Sequence, residues 1–153
     1  MLSLCIYSIA DSSQEWNGKF FDKVTLQSLG LRYQLGHGGA RCPLPAPGPS
    51  DFLVFDITGV HRVTIDFCNC THHIFHQRTQ LLRARWFPAT TNRPKTVFTF
   101  NVLKTYHELS LQGKTTSYDF YHLILRRTDN SKVEKEIVCC FLFLVSIVLI
   151  SVI

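Results

Sequence analysis

The feature that most constrains this chain is Phe67-Cys68-Asn69-Cys70, preceded at a distance by His37-Gly38-Gly39-Ala40-Arg41-Cys42. Cys68 and Cys70 flank a single residue, too close in sequence to bridge each other easily. Of the six cysteines, Cys5, Cys139 and Cys140 lie in apolar end segments, leaving Cys42, Cys68 and Cys70 in the middle. An odd central set argues against a secreted disulfide scaffold. Joined by one histidine, it is the right set for a Cys3His zinc site.

That reading sets geometric demands. Along a straight strand, side chains two residues apart stand about 7 Å from each other, too far for neighbouring corners of a zinc tetrahedron. The chain must therefore turn at Asn69, where a strand gives way to a helix. His37 and Cys42 are separated by Gly38 and Gly39, which let the loop bend both side chains inward. His72, His73 and His76 compete with His37 for the histidine position because they follow Cys70 closely, and His61 and His107 are further candidates. A buried cysteine that is only a small apolar residue is the plainer alternative for each thiol.

The apolar pattern places this set in an α+β fold. Leu31-Arg32-Tyr33-Gln34-Leu35 alternates like a strand, and Thr25–Leu29 reads as a short helix stopped by Gly30. Residues 42–50 carry four prolines and read as a stiff, irregular loop. Asp51–Phe67 reads as a β-hairpin: Phe52-Leu53-Val54-Phe55 runs toward Thr58-Gly59, and Val63, Ile65 and Phe67 alternate with polar residues. Helices are predicted over Thr71–Arg85, Thr96–Leu111 and Ser117–Arg127, with Phe98, Phe100, Tyr106, Tyr118, Phe120 and Tyr121 as core. The expectation is a small zinc-binding domain, a β-hairpin followed by about three helices, with its ligand pairs in treble-clef order.

A chain of 153 residues, 46% hydrophobic and 18% charged, suits one folded domain rather than a disordered one. Its net charge is +5, and the charge is unevenly spread. Between Phe67 and His107 there is no acidic residue, while Arg78, Arg83, Arg85, Arg93, Lys95 and Lys104 are present. Such a stretch can lie against phosphates, or simply form a solvated basic face.

Both ends differ from the middle. Residues 137–153 contain only Ser146 and Ser151 as polar side chains, at the short limit for a membrane span. Arg126, Arg127 and the lysines up to Lys135 could flank a tail anchor. The first ten residues are apolar but lack the basic start of a signal peptide. T-rich non-coding DNA also translates as apolar sequence, and Lys132-Val133 and Gln14 can encode splice-site sequences. Residues 1–14 therefore read as a non-native, intron-derived extension, 15–130 as the domain, and 131–153 as an apolar tail, intron-derived or a membrane anchor.

No catalytic arrangement emerges. A Cys–His nucleophile is not separable from ligation here, and Asp56, Asp66 and Asp119 match no two-metal spacing. The chain is expected not to be an enzyme.

Several short motifs occur in a fixed order: Trp16-Asn17-Gly18-Lys19-Phe20-Phe21, Leu29-Gly30-Leu31, Leu35-Gly36-His37, Cys42-Pro43, Phe67-Cys68-Asn69-Cys70, Gln80-Leu81-Leu82 and Trp86-Phe87-Pro88-Ala89-Thr90. Phe98-Thr99-Phe100 and a closing Leu125–Asn130 follow. This ordered set resembles the CxC-type cysteine-cluster domain associated with KDZ (Kyakuja–Dileera–Zisupton) transposases of mobile elements, over about residues 15–130. The resemblance implies a zinc-binding accessory module ahead of a transposase catalytic region, with DNA as partner, or a protein, and the nucleus as compartment. It implies Cys68 and Cys70 as ligands, with His37 and Cys42 as their partners; within the acid-free basic stretch, Arg78, Arg83, Arg85, Arg93 and Lys95 are the residues expected to meet nucleic acid. Further upstream Cys and His residues and a downstream catalytic region, usual in the family, are not in this sequence, which suggests a truncated copy. The other expectation is a small tail-anchored membrane protein with a cytosolic zinc-binding domain.

Overall fold

The computed structural model describes residues 13–24, 27, 28, 30–37, 40–70 and 76–128. The two ends, His72, His73 and most of the expected Thr25–Leu29 helix lie outside them; Gln27 and Ser28 form a turn closed by the Gly30 amide on the Gln27 carbonyl. Among the described residues no helix is long and apolar enough to cross a membrane.

The chain is α+β. β1 (Ser13–Trp16) and β2 (Phe21–Val24) pair antiparallel as a separate hairpin. β3 (Arg32–Gln34), β7 (Thr64–Cys68) and β4 (Pro45–Pro47) form a three-stranded sheet with β7 at its centre. β6 (Gly59–Arg62), β5 (Leu53–Asp56), β9 (Thr96–Thr99) and β8 (Trp86–Pro88) form a four-stranded sheet in that order. Among the described residues the helices are α1 (Gln77–Arg83), α2 (Phe100–Gly113) and α3 (Ser117–Thr128).

Strand alternation divides two cores between the faces of the four-stranded sheet. Phe55 and Phe98 join Val102, Tyr106, Phe120, Tyr121, Ile124 and Leu125 of α2 and α3 on one face. Val54 and Val97, one residue earlier in each strand, join Leu35, Phe52, Val63, Ile65, Phe67, Leu81 and Trp86 on the other. A strand buried on both faces must be apolar at consecutive positions, which is why Phe52-Leu53-Val54-Phe55 does not alternate.

Three sequence expectations are corrected. The hairpin partner of β5 is β6, joined through Ile57 and Thr58, with Phe55 opposite Val60. The stretch expected there instead leaves at Val63 and becomes β7, pairing parallel to β3 and antiparallel to β4. Residues 96–99 are not helical: β9 runs parallel to β5, and α2 begins only at Phe100, where the Thr99 hydroxyl caps the helix by accepting from the Val102 amide. Of the six aromatics expected in the core, Phe98, Tyr106, Phe120 and Tyr121 are buried, while Phe100 and Tyr118 are exposed.

Candidate metal centre

β3 runs beside β7 as far as Leu35, whose amide donates to the Asp66 carbonyl. Arg32 on the same strand grips the buried Asp66 carboxylate through two nitrogens, at 2.6 and 2.9 Å. This pairing fixes where the chain must leave the sheet. It leaves through two consecutive left-handed residues, Gly36 (φ +88) and His37 (φ +46). The loop returns with the Cys42 amide donating to Gln34 Oε1 at 3.0 Å.

The other half of the site is the end of β7. Cys68 is the last strand residue, and the following Asn69 amide donates to the Leu44 carbonyl. The turn beyond the strand brings Cys70 back alongside Cys68, as the short spacing required.

The imidazole Nε2 of His37 lies 3.2 Å from Cys68 Sγ and 3.3 Å from Cys70 Sγ. Cys42 Sγ is 3.6 Å from Cys70 Sγ, well beyond the ~2.05 Å of a disulfide bond; all three thiols are free. The four candidate ligand atoms lie within 4.8 Å of one another. The three cysteines are buried and the histidine is exposed, so the imidazole is the member of the cluster nearest solvent. The cluster can hold a metal ion.

Among the described histidines, His37 alone joins the cysteines. His76 precedes α1 as its exposed N-cap, His61 sits against Thr58, and His107 lies in α2. The carboxylates are dispersed: Asp66 binds Arg32, Asp56 accepts from Thr99 and Thr58, and Asp119 accepts from Thr116.

The thiols are electrostatically unequal. The Cys70 amide donating to the Cys68 sulfur holds that thiol below its ordinary value, against the opposing effect of burial. Burial, with Cys68 and Cys42 beside it, pushes the Cys70 thiol up to about 11. A dication held by these thiols would override the inequality, since a coordinating thiol gives up its proton.

A family model, the CxC2-like cysteine cluster associated with KDZ transposases, matches residues 26–132, more than two thirds of the chain. The chain belongs to the CxC2 family. All four residues of the candidate CxC2 metal centre fall inside the match, whereas the Trp16–Phe21 segment lies upstream of it. No curated protein and no solved structure matches the chain significantly.

Two further CxC2 residues touch the site that metal-ligand reasoning did not single out. The Cys68 amide donates to Gln80 Oε1 at 2.8 Å, and Gln80 Nε2 donates to the Cys68 carbonyl at 2.9 Å. Gly36 packs directly on Cys68. Their signal was their place in ordered motifs, Gln80-Leu81-Leu82 and Leu35-Gly36-His37.

The basic residues are exposed. Arg78 and Arg83 lie on α1, Arg85 between α1 and the edge strand β8, and Arg93 and Lys95 in the connection from β8 to β9. Arg85 (φ +63) and Arg93 (φ +46) hold left-handed backbone that ordinarily favours glycine.

Proposed function

We propose that His37, Cys42, Cys68 and Cys70 hold a structural zinc ion, and that the domain is a non-catalytic accessory module of a KDZ-type transposase. In this reading it acts in the nucleus and binds DNA through Arg78, Arg83, Arg85, Arg93 and Lys95. The observation that carries it is the convergence of one imidazole nitrogen and three thiol sulfurs.

The separations suit zinc. Bond lengths of about 2.3 Å to sulfur and about 2.05 Å to nitrogen at tetrahedral corners place S···S edges roughly 3.8 Å and S···N edges roughly 3.6 Å long. Separations of 3.6 Å between the Cys42 and Cys70 sulfurs, and of 3.2 and 3.3 Å from the His37 nitrogen to the Cys68 and Cys70 sulfurs, are near those edges. Soft thiolates favour zinc over magnesium or calcium. Four protein ligands fill the tetrahedron and leave no position for a reacting water, which is the pattern of a structural site. When bound, zinc would cross-link the loop after β3 to the end of β7, and the chain's own contribution is to present the donors together.

Metal analysis of the full chain tests the site. One zinc per chain is expected, absent when Cys68 and Cys70 are both changed to serine; an unchanged stoichiometry would overturn the ligand assignment. For DNA, neutralising Arg83, Arg85 and Arg93 should weaken binding and flatten its salt dependence, by about 0.9 in log–log slope for each phosphate no longer neutralised. No salt-dependent binding by the parent chain would remove DNA from the account.

A further inference from the structure

The strand β7 has β4 on one side and β3 on the other. The Asn69 amide donates to the Leu44 carbonyl and the Gly48 amide to the Ile65 carbonyl, so the Pro45–Cys68 pair falls at a non-hydrogen-bonded position of the antiparallel ladder. The N–H and C=O of Cys68 therefore point away from β4, toward the flank that β3 occupies. β3 covers that flank only as far as Asp66, because at Gly36 the chain turns off to bring His37 to the thiols. The departure that assembles the cluster thus strips the buried Cys68 peptide groups of a strand partner, where unmade hydrogen bonds are costly.

We propose that Gln80 is a positioning residue of the metal centre, its carboxamide standing in for the missing strand and fixing the backbone of Cys68 so that its sulfur meets the metal. This rests on the cluster being a metal site. Gln80 is only 5% exposed, although it belongs to a seven-residue helix with exposed arginines. Its amide makes the same paired exchange a neighbouring peptide would make, accepting from the Cys68 amide at 2.8 Å and donating to the Cys68 carbonyl at 2.9 Å. Glutamine is the side chain that meets this requirement. Glutamate has the reach but, when ionised, no donor; asparagine has both groups but is one methylene short; methionine fills the space with neither. Partners of this kind, which touch a ligand and not the metal, orient the donor and tune affinity.

The test uses the full chain with zinc and with cobalt(II), whose visible absorption reports tetrahedral thiolate ligation. Gln80→Met is expected to keep the parent's far-UV circular dichroism and to bind one metal ion. Its affinity should fall tenfold to a hundredfold, with an altered cobalt spectrum. Gln80→Glu, which keeps length and acceptor, is the second variant should Gln80→Met not fold, and it is expected to bind more weakly too. Thr99→Ala, which removes hydrogen bonds to Asp56 and to the Val102 amide and none to the four cluster residues, serves as a control of reduced stability and should keep parental affinity and spectrum. Parental affinity and an unchanged cobalt spectrum in both Gln80 variants would overturn the inference, as would an equal loss in Thr99→Ala. A parent chain that binds neither metal would overturn the site itself, a distinct result.

Discussion

A methyl group on Gly36 would stand 2.8 Å from Cβ of Cys68 and 3.5 Å from its sulfur. The loop carrying His37 thus passes as close to the ligand strand as bare backbone allows, and it does so at a φ of +88. Gly36→Ala should be penalised twice, by left-handed strain and by overpacking against Cys68. It is expected to cost about 1–3 kcal/mol of stability and to weaken zinc binding at least tenfold. Urea unfolding and competition with a chromophoric chelator would measure these. Parental zinc affinity in the alanine variant would show that this approach does not set the position of His37.

Metal removal should loosen the domain without unfolding it. The two apolar clusters bury Phe52, Phe55, Phe98, Phe120, Trp86 and their neighbours independently of the cysteines. At about 1.5–3 kcal/mol for each fully buried large apolar side chain, they supply the driving force that a classical zinc finger lacks. Chelation is expected to lower the melting temperature and to raise amide exchange around residues 35–37 and 68–70, with far-UV circular dichroism largely kept. Complete loss of secondary structure on chelation would place the metal at the root of the fold instead.

The gathering of His37 with Cys42, Cys68 and Cys70 was legible because its signals are local. Cys68 and Cys70 declare themselves by spacing, and the glycines beside His37 announce a bend. What decides between His37 and His76 is not local. It is the parallel pairing of β3 with β7, which carries Gly36 onto Cys68 and leaves His76 at the start of α1. The partner of β5 was illegible for a similar reason: Val63, Ile65 and Phe67 alternate as a hairpin strand would, but they are claimed by β3 and β4. Thr96–Thr99 read as the first turn of the helix expected over Thr96–Leu111. The pairing with β5, some forty residues upstream, overrode that local reading, leaving the Thr99 cap as the true start of α2.

Arg85 occupies the position just past the end of α1, where helices commonly stop on a left-handed glycine. Its φ is +63, and its amide donates to the Leu82 carbonyl. Arg85→Gly should relieve this backbone and stabilise the fold by up to about 1 kcal/mol, while weakening DNA binding through loss of a charge. Thermal unfolding and a salt titration of DNA affinity would read the two effects together. A variant that gains stability and keeps full DNA affinity would remove Arg85 from the proposed interface.

Burial beside Thr58 pushes the His61 imidazole below its ordinary value, and Asp56 opposes this less strongly. The folded state therefore takes up the proton less readily than the unfolded chain. Below the unfolded value of about 6.5 the unfolded state binds more protons, so stability rises with pH. The contribution is fully present above that value and is lost as pH falls through the lower, folded one. His61→Gln keeps a polar group for Thr58 and removes the titration. Urea unfolding of parent and variant between about pH 7.5 and about pH 5 should show the parent losing more stability with acid. Any release of metal by acid affects both proteins and cancels in the difference. Equal losses would mean that His61 titrates alike in both states, and that the imidazole is not held neutral by the β5–β6 turn.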